Sequence, residues 1–147
     1  VERMLYNKTP GALLSNLNLN VHTRGHICRA ALEGIAFSFA YGMEIMQQDA
    51  LTLDVVRAGN DNLFRSDIFS QTVATLIGKP IEIYNTTGAI GAARAAGIEN
   101  KSINDYSQSV ASMDFVSEVL PIKEKQAYIE AYHKWKQELT RALNNLN

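Results

Sequence analysis

Gly59-Asn60-Asp61-Asn62 is a short polar loop between the β-branched run Val55-Val56-Arg57-Ala58 and the segment Leu63-Phe64-Arg65-Ser66. Glycine lets a base or a phosphate approach the backbone closely. Asn60 and Asn62 each carry a donor and an acceptor that match an adenine edge or a ribose. A helix beginning near Ser66 would add free N–H groups and a dipole that favours anions. A second loop of similar kind, Asn85-Thr86-Thr87-Gly88, joins Ile81-Glu82-Ile83-Tyr84 to the small-residue run Ala89-Ile90-Gly91-Ala92-Ala93-Arg94-Ala95-Ala96-Gly97. Two consecutive strand–polar loop–helix units of this kind suit a nucleotide. Spacing alone also fits ordinary turns capped by Asn and Asp, because neither G-x-G-x-x-G nor G-x-x-x-x-G-K-[ST] occurs.

Other reactive side chains give less. His22 and His26 are four apart and share one helix face, a spacing that could hold a metal. No Glu follows His22 directly, and the remaining histidine, His133, is remote in sequence. A structural or substrate-lip role fits these histidines better. Asp54, Asp61 and Asp67 surround the first loop, and any of them could act as a general base. Asp67 sits where the first turn of a helix favours an acid for dipole reasons, so no base is assigned. Local context suggests no Ser–His–Asp or Cys–His arrangement. Cys28, the single cysteine, excludes an internal disulfide and a cysteine metal cluster; its apolar helical surroundings predict a buried, inert thiol. Trp135 and the tyrosines near it could stack a base, but their helical spacing predicts packing against the sheet.

These groups need elements to position them. Residues 1–21 read as extended, with Leu17, Leu19 and Val21 alternating at a strand period. A long helix is expected from about His22 to about Gln48, capped by Asn20 or Thr23. Its middle is apolar on most sides, which predicts packing between layers, and Arg29 and Glu33 have the spacing of an ion pair. A strand over Leu53–Ala58 precedes a helix over Leu63–Ile77, with Phe64, Ile68, Phe69, Thr72, Val73 and Leu76 on one face. Gly78-Lys79-Pro80 ends it with a left-handed cap. A strand over Ile81–Tyr84 and a helix over Thr87–Gly97 follow. Residues 98–121 read as a long irregular connection. The last helix, about Ile122 to Leu143, shows Tyr128, Tyr132, Trp135, Leu139 and Leu143 on one face. The strand–helix–strand–helix order predicts a parallel pair with right-handed crossovers, hence an α/β fold with two core strands and an early hairpin.

The bulk numbers narrow the classes. A chain of 147 residues, 46% hydrophobic and 20% charged, is expected to form one domain and is long enough to bury a real core. A net charge of −1 and the absence of a basic run leave no electrostatic footprint for nucleic acid or an anionic membrane. No apolar run approaches the roughly 20 residues that span a bilayer, and no signal peptide is present, which makes the cytoplasm the default location. The first residue is Val1, and the opening residues lack the look of a natural start, so a piece of a longer chain is expected.

The run His22-Thr23-Arg24-Gly25-His26-Ile27-Cys28-Arg29-Ala30-Ala31-Leu32-Glu33-Gly34-Ile35-Ala36-Phe37 resembles the H-x-R-x-H-x-x-R-A-x-x-E-G-[IV]-A-F helix of the FGGY carbohydrate kinases. Ala58-Gly59-Asn60-Asp61-Asn62-Leu63-Phe64 resembles their adenosine loop, and Gly88-Ala89-Ile90-Gly91-Ala92-Ala93 their G-A-x-G-A-A helix. The blocks cover about residues 1–98 and, more loosely, the last helix through Tyr132 and Trp135-Lys136. They resemble the C-terminal part of a xylulokinase-type enzyme. This resemblance implies a partial ribonuclease H-like (actin-like ATPase) domain, a mixed sheet with packed helices, incomplete at its N-terminal side. It implies ATP and Mg²⁺ as cofactors and a sugar as the other substrate, D-xylulose being the expected one. It places Gly59, Asn60 and Asn62 on the adenosine, with Ser66 close by. The chain departs from the Gly-Gly-Gly-Ala-[Lys/Arg]-Ser loop of most xylulokinases, having Asn60-Asp61-Asn62-Leu63 before Arg65-Ser66. The family's catalytic aspartate, phosphate loops and most of its sugar site lie upstream of the matched region, so no catalytic residue is expected in this chain and the isolated chain is expected to be inactive. The alternatives are a truncated, non-catalytic kinase remnant that forms a homodimer through an uncovered sheet edge, and a kinase for another sugar or polyol.

Overall fold

The computed structural model describes residues 3–48, 55–96, 104 and 114–146. Among these residues the sheet has three strands in the order β1-β2-β3. β1 (Val56–Gly59) and β2 (Ile81–Tyr84) are parallel, with Val56 opposite Ile81 and Gly59 opposite Tyr84. The helix between them, α2 (Asp67–Ile77), makes this a β–α–β crossover, as the element order predicts. β2 covers the expected Ile81–Tyr84, whereas the expected start of β1 at Leu53 lies outside the described residues. Gly78 ends α2 at φ +66° and its N–H donates to the Ala74 carbonyl, the left-handed cap that glycine adopts without strain.

β3 (Phe115–Val119) corrects the sequence reading of 98–121 as irregular. It runs antiparallel to β2, with Ile81 opposite Val119 and an irregularity between Ile83 and Tyr84. Phe115, Val116, Ser117 and Glu118 are all exposed, so no one-sided burial pattern marks this strand. It exists because β2 offers a free row of N–H and C=O groups. The same reasoning fails in reverse at Leu17, Leu19 and Val21, which form no strand and stay exposed. There Asn18 closes a local turn: its carbonyl accepts from Val21 N and His22 N, and its side chain accepts from Asn20 N. Such side-chain and turn bonds compete with a sheet ladder.

α1 (Arg24–Gln48) begins directly after Thr23, one of the two expected caps. His26 takes the place of the usual Glu in a capping box: its Nδ1 accepts from Thr23 N at 3.1 Å and lies 2.9 Å from Thr23 Oγ1. The expected pair Arg29–Glu33 forms at 2.8 Å. The expectation that α1 is packed between layers needs correction. Only Ala36, Phe37 and Ala40 are buried, while Ile35, Phe39 and Met46 keep over a third of their surface. Cys28 is likewise exposed rather than buried: the α1 residues that join the core clusters begin only at Ala36.

The core has two parts. Ala36 of α1 meets Phe69, Val73 and Ala74 of α2 and Ile81 and Ile83 of β2. The remaining buried polar groups of α2 are satisfied: Thr72 and Thr75 hydroxyls donate to the Ile68 and Gln71 carbonyls, and Ser70 to that of Phe64. A second cluster joins Phe37 and Ala40 to Tyr132 of the last helix, α4 (Gln126–Asn144). The small-residue helix, α3 (Gly88–Ala96), follows β2. Trp135 does not reach the sheet as expected. It packs on α1, with Phe37 and Tyr41 edge-on at 6.1 and 6.0 Å and Tyr132 stacked at 6.0 Å. α4 packs against α1 and α2.

A polar clasp fixes α4. Tyr132 donates to Glu44 Oε2 at 2.6 Å, and Lys136 Nζ sits 3.0 and 3.2 Å from the two Glu44 oxygens. The Tyr132 hydrogen bond, and then Lys136, hold the Glu44 carboxyl below its ordinary range, against the effect of desolvation. A carboxyl depressed in the folded state adds stability above its unfolded pKa and loses it as pH falls through the folded value. Urea unfolding at pH 7 and below pH 4 should therefore show an acid loss in the wild type that is smaller in Tyr132→Phe. That variant should also lose about 1 kcal/mol at pH 7. An unchanged acid slope in Tyr132→Phe would mean that the clasp does not couple to folding.

Candidate nucleotide site

Because β1 and β2 are parallel, their C-terminal ends open on the same side, the place where open α/β sheets bind ligands. The two loops are joined just beyond the strands. Asn60 N–H donates to the Tyr84 carbonyl at 2.7 Å, and Asp61 N–H to that of Gly59 at 2.7 Å. Gly59 lies so close to the next loop that a Cβ there would fall well inside contact distance of the Thr86 carbonyl oxygen, and 3.3 Å from its carbonyl carbon. Only hydrogen fits between these backbones.

The first loop then turns sharply. Asp61 caps a short 3-10 helix, Asn62–Arg65, by accepting from Asn62 N at 2.7 Å. Asn62 takes φ +49°, a left-handed conformation that Asn tolerates better than most side chains. Ser66 is extended and caps α2, its Oγ accepting from Phe69 N at 3.5 Å. On the second loop, Thr87 Oγ1 accepts from Ile90 N at 3.3 Å and its carbonyl from Gly91 N, which opens α3.

Between the loops lies a cleft of about 380 Å³. Gly59, Asp61, Asn62 and Leu63 line it from the first loop, and Thr86, Thr87 and Gly88 from the second. Phe39, Phe64 and Phe69 complete it. The structure thus brings Gly59 and Asn62 together, as expected. Asn60 and Ser66 are not in the lining: the Asn60 N–H ties the loops, and the Ser66 hydroxyl caps a helix. Asp61 both lines the cleft and caps its turn. Asp67 occupies the first turn of α2, and Asp54 lies outside the described residues. Phe39 escaped the sequence reading, because a helix apolar on most sides does not tell which face meets a ligand.

Next to the cleft, Arg57 and Glu82 pair across β1 and β2 at 2.9 Å, and Tyr84 donates to Glu82 at 2.6 Å. The Tyr84 hydrogen bond first, and Arg57 second, hold the Glu82 carboxyl below its ordinary range. It is a paired strand carboxylate, unsuited to take a proton at neutral pH. His22 and His26 serve turns: His22 Nδ1 accepts from Asn18 N and His26 Nδ1 from Thr23 N. Among the described residues, no group of three or more His, Cys, Asp or Glu could hold a metal. A larger cavity of about 540 Å³, between residues 4–16, α1 and α4, shares no lining residue with the cleft. It is the larger of the two, but it lies away from the two loops at the C-terminal ends of the parallel strands, where such sheets bind nucleotides.

A model of the C-terminal domain of the FGGY family of carbohydrate kinases matches residues 3–99. The chain belongs to the FGGY family. The match extends beyond α3, so both loops lie inside the FGGY domain. The glycerol kinase of Pseudothermotoga lettingae is 32% identical over 124 residues, which cover 82% of this chain and 25% of that protein. Glycerol kinase 2 of Thermotoga maritima is 28% identical over 124 residues, with the same coverage. The chain spans about a quarter of the length of these relatives. The crystal structure of xylulose kinase from Rhodospirillum rubrum superposes on 90% of this chain and 27% of its own, with a TM-score of 0.69 and 22% identity. That likeness supports the partial ribonuclease H-like, actin-like ATPase fold. No helix among the described residues is long and apolar enough to cross a membrane.

Proposed function

We propose that this chain is the C-terminal portion of the nucleotide-binding domain of an ATP-dependent kinase that phosphorylates a hydroxyl of a sugar or polyol. The observation that carries this reading is the meeting of Gly59 with the Thr86 carbonyl, which makes one cleft out of two βα loops in an FGGY domain. Gly59 and Asn62 contact the adenosine, and Thr87 and Gly88, at the start of α3, face its more polar part. Asn60 and Ser66 hold the loop in shape. The lining fits a nucleotide: polar loops on one part and aromatic side chains on another. Among the described residues its lining holds one carboxylate, Asp61, so it offers no cluster of acidic ligands for a divalent cation.

The base that deprotonates the acceptor hydroxyl lies outside this chain in this reading, as do the sugar contacts. Catalysis in such a kinase is mainly positioning and charge stabilisation. The acceptor is D-xylulose on the pattern of the sequence blocks and of the Rhodospirillum rubrum neighbour; the glycerol kinase relatives favour glycerol as the second reading.

Calorimetric titration of the chain with ADP tests the site, and saturable binding is the expected result. A coupled assay with glycerol and D-xylulose should detect no turnover by the 147 residues, and sugar-dependent ADP release by this chain alone would refute the division of labour. A dimer by light scattering with no ADP affinity would favour a non-catalytic module instead.

A further inference from the structure

Phe39 is a large apolar side chain on α1 that stays 43% exposed, although its near neighbours Ala36 and Ala40 are buried. It opens into the same cleft as Gly59, Asn62 and Thr87. Its ring is held edge-on by Phe69 at 5.3 Å and 89°, and by Phe64 at 6.2 Å and 85°. Phe64 and Phe69 are in turn perpendicular to each other at 5.2 Å. Phe69 is fully buried, so the cluster is anchored in the core while one member reaches the ligand space. The polar groups of the cleft come from the two loops, and the aromatic ones from α1, the 3-10 turn and the start of α2. A ligand that matches both has a flat apolar π-face joined to a polar sugar-phosphate.

We propose that Phe39 is the side chain against which the nucleotide base packs. The inference rests on the nucleotide reading of the cleft and adds the residue that takes the base. A ring already fixed by two neighbours loses little freedom when a ligand arrives. Apolar and π contact of this kind tolerates any base, so Phe39 contributes affinity for adenine and guanine alike.

Titration of the chain with ADP and GDP tests this. Phe39→Ala should weaken both roughly tenfold, with the circular dichroism spectrum unchanged, because much of Phe39 is already solvent-exposed. Phe39→Trp should restore binding and Phe39→Leu should not. Ile35, one turn earlier and 42% exposed, lies outside the cleft lining, and Ile35→Ala should leave both affinities unchanged. If Phe39→Ala binds ADP within twofold of the wild type while Gly59→Val abolishes binding, the base lies elsewhere in the cleft and the inference falls alone. Full rescue by Phe39→Leu would also overturn it, since a flat ring would not be needed. Failure of the wild-type chain to bind ADP would overturn the inference together with the nucleotide reading.

Discussion

Gly59→Val should abolish measurable ADP binding and destabilise the chain by about 1–3 kcal/mol. The added atoms would have to occupy space held by the Thr86 backbone. A flexible side chain could swing aside; a carbonyl anchored between β2 and α3 cannot move without pulling both. The clash pushes the second loop away from the first, and the cleft loses the wall formed by Thr86, Thr87 and Gly88. Gly88 provides the contrast. A Cβ there meets nothing within 4 Å, so Gly88→Ala should change stability by no more than about 0.5 kcal/mol. Urea unfolding and ADP titration of the two variants measure both effects. Wild-type affinity in Gly59→Val would remove the cleft as the nucleotide site.

Phe69→Ala should be the most damaging single change to stability, at about 3–5 kcal/mol. Phe69 has no exposed surface and packs with Val73, Ala36 and Ile81 in the main core cluster. Its removal opens a cavity where α1, α2 and the sheet meet. It also strips Phe39 and Phe64 of the ring that orients them, so ADP affinity should fall with stability. A domain has only about 5–15 kcal/mol in total, which makes this a large fraction. Phe69→Leu, which keeps most of the volume, should cost less than about 1.5 kcal/mol. The measurement is the urea midpoint at constant slope. A loss under 1 kcal/mol in Phe69→Ala would show that the core can close over the gap.

What the sequence revealed and what it hid follow from where each signal originates. β2, the Gly78 cap and the Arg29–Glu33 pair depend on residues close in sequence, and all three stand as read. The first loop was legible for the same reason, since glycine, Asn and Asp between a strand and a helix report a local turn. β3 was hidden because its identity depends on β2, more than thirty positions away in register, and not on its own alternation. Leu17, Leu19 and Val21 alternate but pair with nothing, because Asn18 satisfies the backbone locally. The direction of α4 was hidden too: its aromatic face was clear, but periodicity cannot say that α1 rather than the sheet receives it. Of the residues that line the cleft, Gly59 and Asn62 are legible from the loop, whereas Phe39 comes from a helix some twenty residues upstream and only the tertiary fold brings it there.

The contact between Gly59 and Thr86, with the Asn60–Tyr84 hydrogen bond beside it, has a mechanical meaning. Two loops that touch backbone to backbone cannot flex independently. A push at the start of α3 is delivered to the end of β1, and from there through the 3-10 turn to α2. The tips of both strands are thereby tied together, and a displacement of either loop loads the other.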